Sequence, residues 1–331
     1  MVSLFIVTLA LVKVDSDAWQ SEFLILTLVI VVILNIFSAI FQGGLFGLAG
    51  CFPPRYMNGV LSGQGIGGII VALINIALLA VGGDDVTAAF YCFLFSVIFL
   101  IGSVLALYYL TRTPLYAHYV LQQTATSTER GEETPLLAGQ TAGTEGKTVS
   151  VSVGDVLRHI RVEALTVLFI YIVTLGCFPA LTVLVEAVDK DDGGAWENIY
   201  FIPVSCFLFY NLGDYIGRLM VGTNLVPKMS SRLALVCSVI RVLIIPGFLF
   251  CNLAPQERTN IDVYLPYDAA YIILMFLLSI SNGYLTSIVM LNAPAKVEDY
   301  QQQTASNLMV GILGLGLVIG AGLSAGLVKV L

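Results

Sequence analysis

Three polar residues late in a long apolar run are the part of this chain best suited to chemistry. The run extends from Ile199 to Val221 and contains Asn211, Asp214 and Arg218. On a helix these three share one face, and Asp214 and Arg218 are i, i+4 neighbours that can pair. A carboxylate and a guanidinium each cost about 2.5–3.5 kcal/mol in a membrane span. The face is therefore either a substrate site lined by donors and acceptors or a structural ion pair that holds two helices in register.

The composition predicts an all-α polytopic membrane protein. Of 331 residues, 58% are hydrophobic and 11% are charged, whereas soluble domains carry about 25% charged residues. The mean hydropathy is +0.91. No basic patch indicates nucleic-acid binding, no metal-ligand spacing occurs, and the six cysteines are scattered through apolar runs. We therefore expect no metal, no cofactor and no enzymatic activity.

Nine apolar segments are candidate membrane spans, since a span needs about 20 mostly apolar residues. The first is short and resembles the tail of a longer span. The candidates are Met1–Val12, Phe23–Gly47, Met57–Val81, Ala88–Leu110, Ala164–Val185, Ile199–Val221, Leu233–Leu253, Ala269–Leu291 and Ala305–Val328.

A polar segment, Thr111–Arg161, separates four spans from five. Its Thr, Ser, Gly, Glu and Gln content cannot bury enough apolar surface to fold, which predicts a disordered linker. The chain is thus expected to comprise an N-terminal bundle (1–110), a linker (111–161) and a C-terminal bundle (162–331).

The distribution of Lys and Arg sets the orientation. Alternating loops on one side hold nine of them and those on the other side four, which places the linker in the cytosol and the C-terminus outside. Within the linker, Glu132 followed by Leu136 and Leu137 fits an acidic dileucine pattern that adaptor proteins bind. Its presence leaves two locations open, the plasma membrane and lysosomes or endosomes.

Several glycines recur four residues apart, which lets helix backbones approach closely in lipid. The pairs are Gly43 and Gly47, Gly63 and Gly67, Gly316 and Gly320, and Gly322 and Gly326. The GxGxxG starting at Gly63 lacks the preceding strand that a dinucleotide site requires.

Two further residues are candidates for ligand contact. Gln64 lies among glycines, and its amide is suited equally to bonding between helices and to bonding a ligand. Phe178 precedes Pro179, which we expect to kink the fifth span. The ring of Phe178 could stack on a flat ligand, or it could be an ordinary core or lipid-facing side chain. Pro246 similarly breaks the seventh span, near Arg241.

Several longer motifs match one known family in order along the chain. They begin at Gln42 (QGGLFGLAG), Leu61 (LSGQG), Gly176 (GCFPA), Phe201 (FIPVSCF), Asn211 (NLGDYIGR) and Ser281 (SNGYL). These motifs resemble spans four, five, seven, eight and ten of the equilibrative nucleoside transporters.

The resemblance implies an eleven-span fold of the major-facilitator type and ion-independent facilitated diffusion of nucleosides by alternating access. It implies that Gln64 bonds the nucleobase, that Asp214 and Arg218 bond the ribose hydroxyls, that Asn211 supports them, and that Phe178 lies at the ligand. Nucleobases are possible further substrates.

The family's first two spans and most of its third have no counterpart in this sequence. One alternative is therefore a truncated, non-transporting isoform that acts as a membrane interaction partner. Another is a carrier of a different small solute, proton-coupled through Asp214. The absence of a second carboxylate from the candidate spans counts against that proton relay.

Overall fold

The computed structural model describes residues 1–14, 19–82, 85–121, 152–190, 193–223, 229–253 and 262–330. These residues form a helical protein. Its α-helices are α1 (Val2–Leu11), α2 (Gln20–Gly50), α3 (Pro54–Ala80), α4 (Asp85–Thr111), α5 (Val153–Cys177), α6 (Phe209–Gly222), α7 (Ser231–Ile240), α8 (Ile244–Leu249), α9 (Asp268–Asn292) and α10 (Gln302–Val330).

Shorter helical segments connect or extend these helices. One turn, Pro114–Tyr116, and a π-helical turn, Ala117–Leu121, follow α4. Two π-helical segments, Trp196–Tyr200 and Ile202–Leu208, lead into α6. The 3-10 turns are Thr182–Leu184, Arg241–Leu243, Pro294–Lys296 and Asp299–Gln301.

Seven described helical segments are long and apolar enough to cross a membrane: α2, α3, α4, α5, α9, α10 and the segment Ser231–Leu249, which joins α7, a 3-10 turn and α8. The chain is therefore an integral multi-pass membrane protein. The seven segments coincide with seven of the nine predicted spans. The first predicted span is the ten-residue helix α1, which is shorter than a membrane is thick. The sixth, Ile199–Val221, is divided between π-helical turns and the polar helix α6. The count of nine therefore stays a prediction.

The helix after the linker begins earlier than the composition predicts. Helix α5 starts at Val153, capped by the Ser152 side chain, whereas the linker was predicted to extend to Arg161. One face of its first turns buries Val156 and Ile160, and this apolar stripe stabilises a helix despite the polar residues around it. The dileucine motif, with most of the linker, lies outside the described residues.

Helix α5 also buries Glu163 completely, next to the predicted start of the span at Ala164. The Nζ atom of Lys296, in the turn after α9, lies 2.5 Å from a carboxylate oxygen of Glu163. The structure thus holds a second buried carboxylate besides Asp214, which the predicted span boundary excluded.

The two predicted proline effects differ. Helix α5 ends at Cys177, so Pro179 follows the helix instead of kinking it. Without an amide hydrogen, Pro179 cannot extend the ladder. The seventh span is broken as predicted: α7 ends at Ile240, and the 3-10 turn starting at Arg241 precedes α8, which contains Pro246.

Glycine brings two long helices into backbone contact. A Cβ atom added at Gly316 or Gly320 of α10 would lie within 3 Å of the carbonyl oxygens of Leu168 or Tyr171 in α5. This confirms the close-packing prediction for that pair. Gly47 also packs closely, against Asn307.

The other predicted glycine contacts are wrong within the described part of the chain. A Cβ atom would have 4 Å of open space at Gly43, Gly63, Gly67, Gly322 and Gly326. No described helix packs closely on these positions, and Gly63 and Gly67 border an open cavity between α3 and α4. The outer face of α2 likewise exposes Leu24, Ile25, Leu28, Val32 and Ile40, as suits contact with hydrocarbon.

Candidate functional site

The Asp214–Arg218 pair is present and buried. Nε of Arg218 donates to Oδ2 of Asp214 over 2.7 Å, and both residues are only 5–6% exposed. They lie one turn apart on α6, so the helix itself sets their spacing. Since one oxygen and several N–H groups remain beyond this contact, the pair can bind further partners.

Arg218 also joins α6 to α3. Its Nη1 atom donates to the carbonyl oxygen of Leu61 over 3.1 Å and to Oε1 of Gln64 over 3.3 Å. Gln64 is itself exposed. The structure therefore brings three predicted site residues together, with Gln64 as the member that is open to an incoming molecule.

Helices α3 and α6 face each other in an antiparallel register. Gly65 lies against Tyr215, where an added Cβ would be 3.1 Å from the Cα atom. Gly68 lies against Asn211, where an added Cβ would be 1.9 Å from Oδ1. The glycine spacing in α3 thus makes room for the polar face of α6.

Asn211 is half-buried and lies along this same interface. Its Nδ2 atom donates to the carbonyl oxygen of Phe207 over 2.8 Å, while Oδ1 faces Gly68. Asn211 thus contacts its own helix and α3, and its support of Asp214 and Arg218 stays a prediction.

Phe178 forms an aromatic cluster with residues that precede and begin α6. Its ring stacks on Tyr210 at a centroid distance of 3.9 Å and an angle of 7°, and it meets Phe207 edge-on at 5.8 Å. One face of Phe178 is thus covered by Tyr210. The ring as a whole is half-buried, and its contact with a ligand stays a prediction.

Sequence reasoning left Asn282 out of the site, although it lies in a quoted motif. Its Nδ2 atom donates to Oδ1 of Asp214 over 2.7 Å, and Thr174 donates to its Oδ1 atom over 2.8 Å. The available signal was an amide inside an apolar span, which must find a partner in lipid.

Arg241 is the second buried guanidinium, 4% exposed. Nη1 donates to the carbonyl oxygen of Ile170, and Nη2 donates to Oγ1 of Thr174 and to the carbonyl oxygen of Leu278 over 2.9–3.2 Å. The sequence placed Arg241 within a span but gave it no role, because its partners lie on helices distant in sequence.

The arrangement suits reversible binding of a polyhydroxylated, partly flat molecule. A carboxylate accepts from vicinal hydroxyls, and a guanidinium donates to them. An amide bonds a heterocycle edge, and an aromatic ring contacts its face. In the described residues, no three His, Cys, Asp or Glu side chains cluster as metal ligands.

Comparison with known proteins places this chain in the class of nucleoside transporters, which are membrane proteins. The sequence profile described as "Nucleoside transporter" matches residues 28–328. The chain belongs to this family, and it is a transporter and not an enzyme.

Individual relatives agree along nearly the whole chain. Mouse "Equilibrative nucleoside transporter 1" is 35% identical over 336 residues, 97% of this chain and 72% of the relative. Human "Equilibrative nucleoside transporter 2" is 32% identical, over 97% of this chain and 75% of the relative. "Equilibrative nucleotide transporter 8" of Arabidopsis thaliana is 28% identical, over 96% of this chain and 75% of the relative.

Proposed function

We propose that this protein carries nucleosides across a membrane by ion-independent facilitated diffusion. The observation that carries the proposal is the buried Asp214–Arg218 pair bonded to the exposed amide of Gln64. The family membership and the names of its relatives support nucleosides as the substrate class.

The ribose is assigned to the charged pair. Vicinal 2′- and 3′-hydroxyls donate to Asp214 and accept from Arg218, in charge-assisted bonds that are roughly twice as strong as neutral ones. The base edge is assigned to Gln64 and the base face to Phe178, while Asn211 keeps α6 in register with α3. Because a free nucleobase uses only the Gln64 and Phe178 contacts, we expect nucleobases to be weaker substrates.

For the transport cycle, we infer that the helices before and after the linker move as two bundles. Arg218 lies at the contact between the two bundles, because it joins α6 of the second group to Leu61 and Gln64 of the first. Access alternates when these groups rock apart on one side of the membrane and close on the other.

We further propose the plasma membrane as the location, with adaptor binding at Glu132, Leu136 and Leu137 as the route to lysosomes. Replacing both leucines with alanine tests this assignment by imaging of the tagged full-length chain. Unchanged surface localisation supports the plasma membrane, whereas a shift from lysosomes to the surface shows that the motif directs lysosomal sorting.

The function is tested by uptake of radiolabelled uridine and adenosine into proteoliposomes without an ion gradient. We expect saturable uptake, unchanged between pH 5.5 and 7.5, that Asp214→Asn reduces about five- to 150-fold. Both oxygens of Asp214 accept from donors, so an amide leaves one donor unpaired, at about 1–3 kcal/mol.

The matched control is Asp155→Asn, the same change at an exposed carboxylate in the first turn of α5. It should transport like the unmodified protein. No uptake by the unmodified protein would refute the carrier proposal. Equal uptake by Asp214→Asn and the control would refute the site assignment alone.

A further inference from the structure

We propose that Arg241, Thr174 and Asn282 are positioning residues that hold Asp214 for ribose binding through hydrogen bonds of fixed direction. The proposal rests on the proposed function and names the part of the protein that gives the site its preference for hydroxylated sugars. None of the three residues is assigned a direct contact with substrate.

The direction of these hydrogen bonds follows from Arg241, at which the series begins. A guanidinium can only donate, so the hydroxyl of Thr174 accepts from Nη2 of Arg241. The hydroxyl proton then points to Oδ1 of Asn282, 2.8 Å away. Asn282 consequently presents its Nδ2 group to Asp214. An Asn amide can be placed in two orientations by itself. The carboxylate of Asp214, which only accepts, and the guanidinium of Arg241, which only donates, both favour the orientation in which Nδ2 faces Asp214.

All three residues of this hydrogen-bonded series are buried. Thr174 is 1% exposed, Asn282 2% and Arg241 4%, and they lie on α5, on α9 and after α7. Bonds from Arg241 to the carbonyl oxygens of Ile170 and Leu278 fix its position. Since water does not compete for these groups, the bonds among them favour one arrangement; Nε of Arg241 takes no part in them and has no partner within the described residues.

The hydrogen-bonded series holds only one oxygen of the Asp214 carboxylate, Oδ1. Oδ1 of Asp214 accepts from Asn282, and Oδ2 accepts from Arg218. These two bonds determine how the carboxylate is rotated and hence where its remaining lone pairs point. Loss of the Asn282 bond frees that rotation while the ion pair persists, so the effect should fall on ribose hydroxyls and not on the base.

The test is Thr174→Val, which replaces the relaying hydroxyl with a methyl group of similar size. KM is measured for uridine and for 2′,3′-dideoxyuridine, which lacks both ribose hydroxyls. Because one hydrogen bond is worth roughly a factor of 2–12, we expect KM for uridine to rise about fivefold. KM for dideoxyuridine should stay within about twofold by the same reasoning.

Two further variants separate positioning from folding. Thr174→Ser keeps the hydroxyl and should restore the preference for uridine. Thr166→Val makes the same change two turns earlier on α5, at a buried hydroxyl that donates only locally, to the carbonyl oxygen of Val162, and it should leave both KM values unchanged.

The outcomes distinguish the two proposals. An equal rise of both KM values in Thr174→Val, or no rise in either, overturns the positioning role. Failure of the unmodified protein to prefer uridine over dideoxyuridine refutes the ribose assignment to Asp214 and the positioning role with it. Preference retained by the unmodified protein and by Thr166→Val but lost in Thr174→Val supports both.

Discussion

Replacing Gly283 with alanine should disable transport by displacing Asp214. A Cβ atom at Gly283 of α9 would lie 1.9 Å from the carbonyl oxygen of Asp214 and 3.0 Å from the amide nitrogen of Arg218. Ordinary contact begins at 3.4 Å, so the two helices must separate by about 1.5 Å at this point. The obstructing atoms belong to the backbone and cannot rotate away.

The cost follows from what the separation breaks. Overpacking costs about 1–3 kcal/mol in stability. The displacement also lengthens the 2.7 Å bond between Asn282 and Asp214 beyond hydrogen-bonding range. A bond to a charged group contributes about 1.5–3 kcal/mol, or about 10–150-fold in an affinity. We therefore expect initial uridine uptake to fall at least tenfold per folded molecule.

The assay is initial uptake normalised to the amount of protein in the membrane, together with the Tm of the purified protein. Gly311→Ala in α10 is the matched control, because an added Cβ atom there meets no described atom within 4 Å. If Gly283→Ala matched this control within twofold in uptake and had the same Tm, the close contact between α6 and α9 would not be required.

Two further predictions concern the interface between α3 and α6 and the ion pair between the buried Glu163 and the exposed Lys296. Gly68→Ala should reduce uptake several-fold, because the added methyl group displaces the Asn211 amide. Gly67→Ala is the control and should not reduce uptake, since an added Cβ atom has open space at that position. In an Asn211→Ala background, Gly68→Ala should have no added effect on uptake. Lys296→Met leaves the carboxylate of Glu163 buried without its cation and should lower Tm by several degrees, because uncompensated buried charge is strongly destabilising. Lys296→Arg should keep Tm, and an unchanged Tm in Lys296→Met would show that Glu163 does not depend on this partner.

Local sequence patterns predicted much of the fold and the pairing of two residues in the candidate site. Long apolar runs located seven spans, because backbone groups in lipid must be satisfied within a helix. The i, i+4 spacing of Asp214 and Arg218 allowed their pairing, since both partners are on one helix. Gln64 was singled out as an amide among glycines, and the family resemblance supplied its predicted role.

The rest of the site depended on pairings that no local pattern encodes. Asn282 is 68 residues from Asp214 and 108 from Thr174 in sequence. Arg241 bonds mainly to backbone carbonyl oxygens, which leave no signature in residue types. The early start of α5 was missed for another reason: its amphipathic first turns bury Val156 and Ile160 within an otherwise polar sequence.

The two bonds from Arg218 to α3 have a kinetic consequence. Under the proposed rocking movement, Nη1 must leave both the Leu61 carbonyl and Gln64 when the two groups of helices part. In an empty carrier water must enter to accept from Nη1 at that moment, whereas a bound ribose already holds an acceptor oxygen in place. The loaded protein should therefore reorient faster than the empty one, and exchange of substrate across the membrane should outpace net flux.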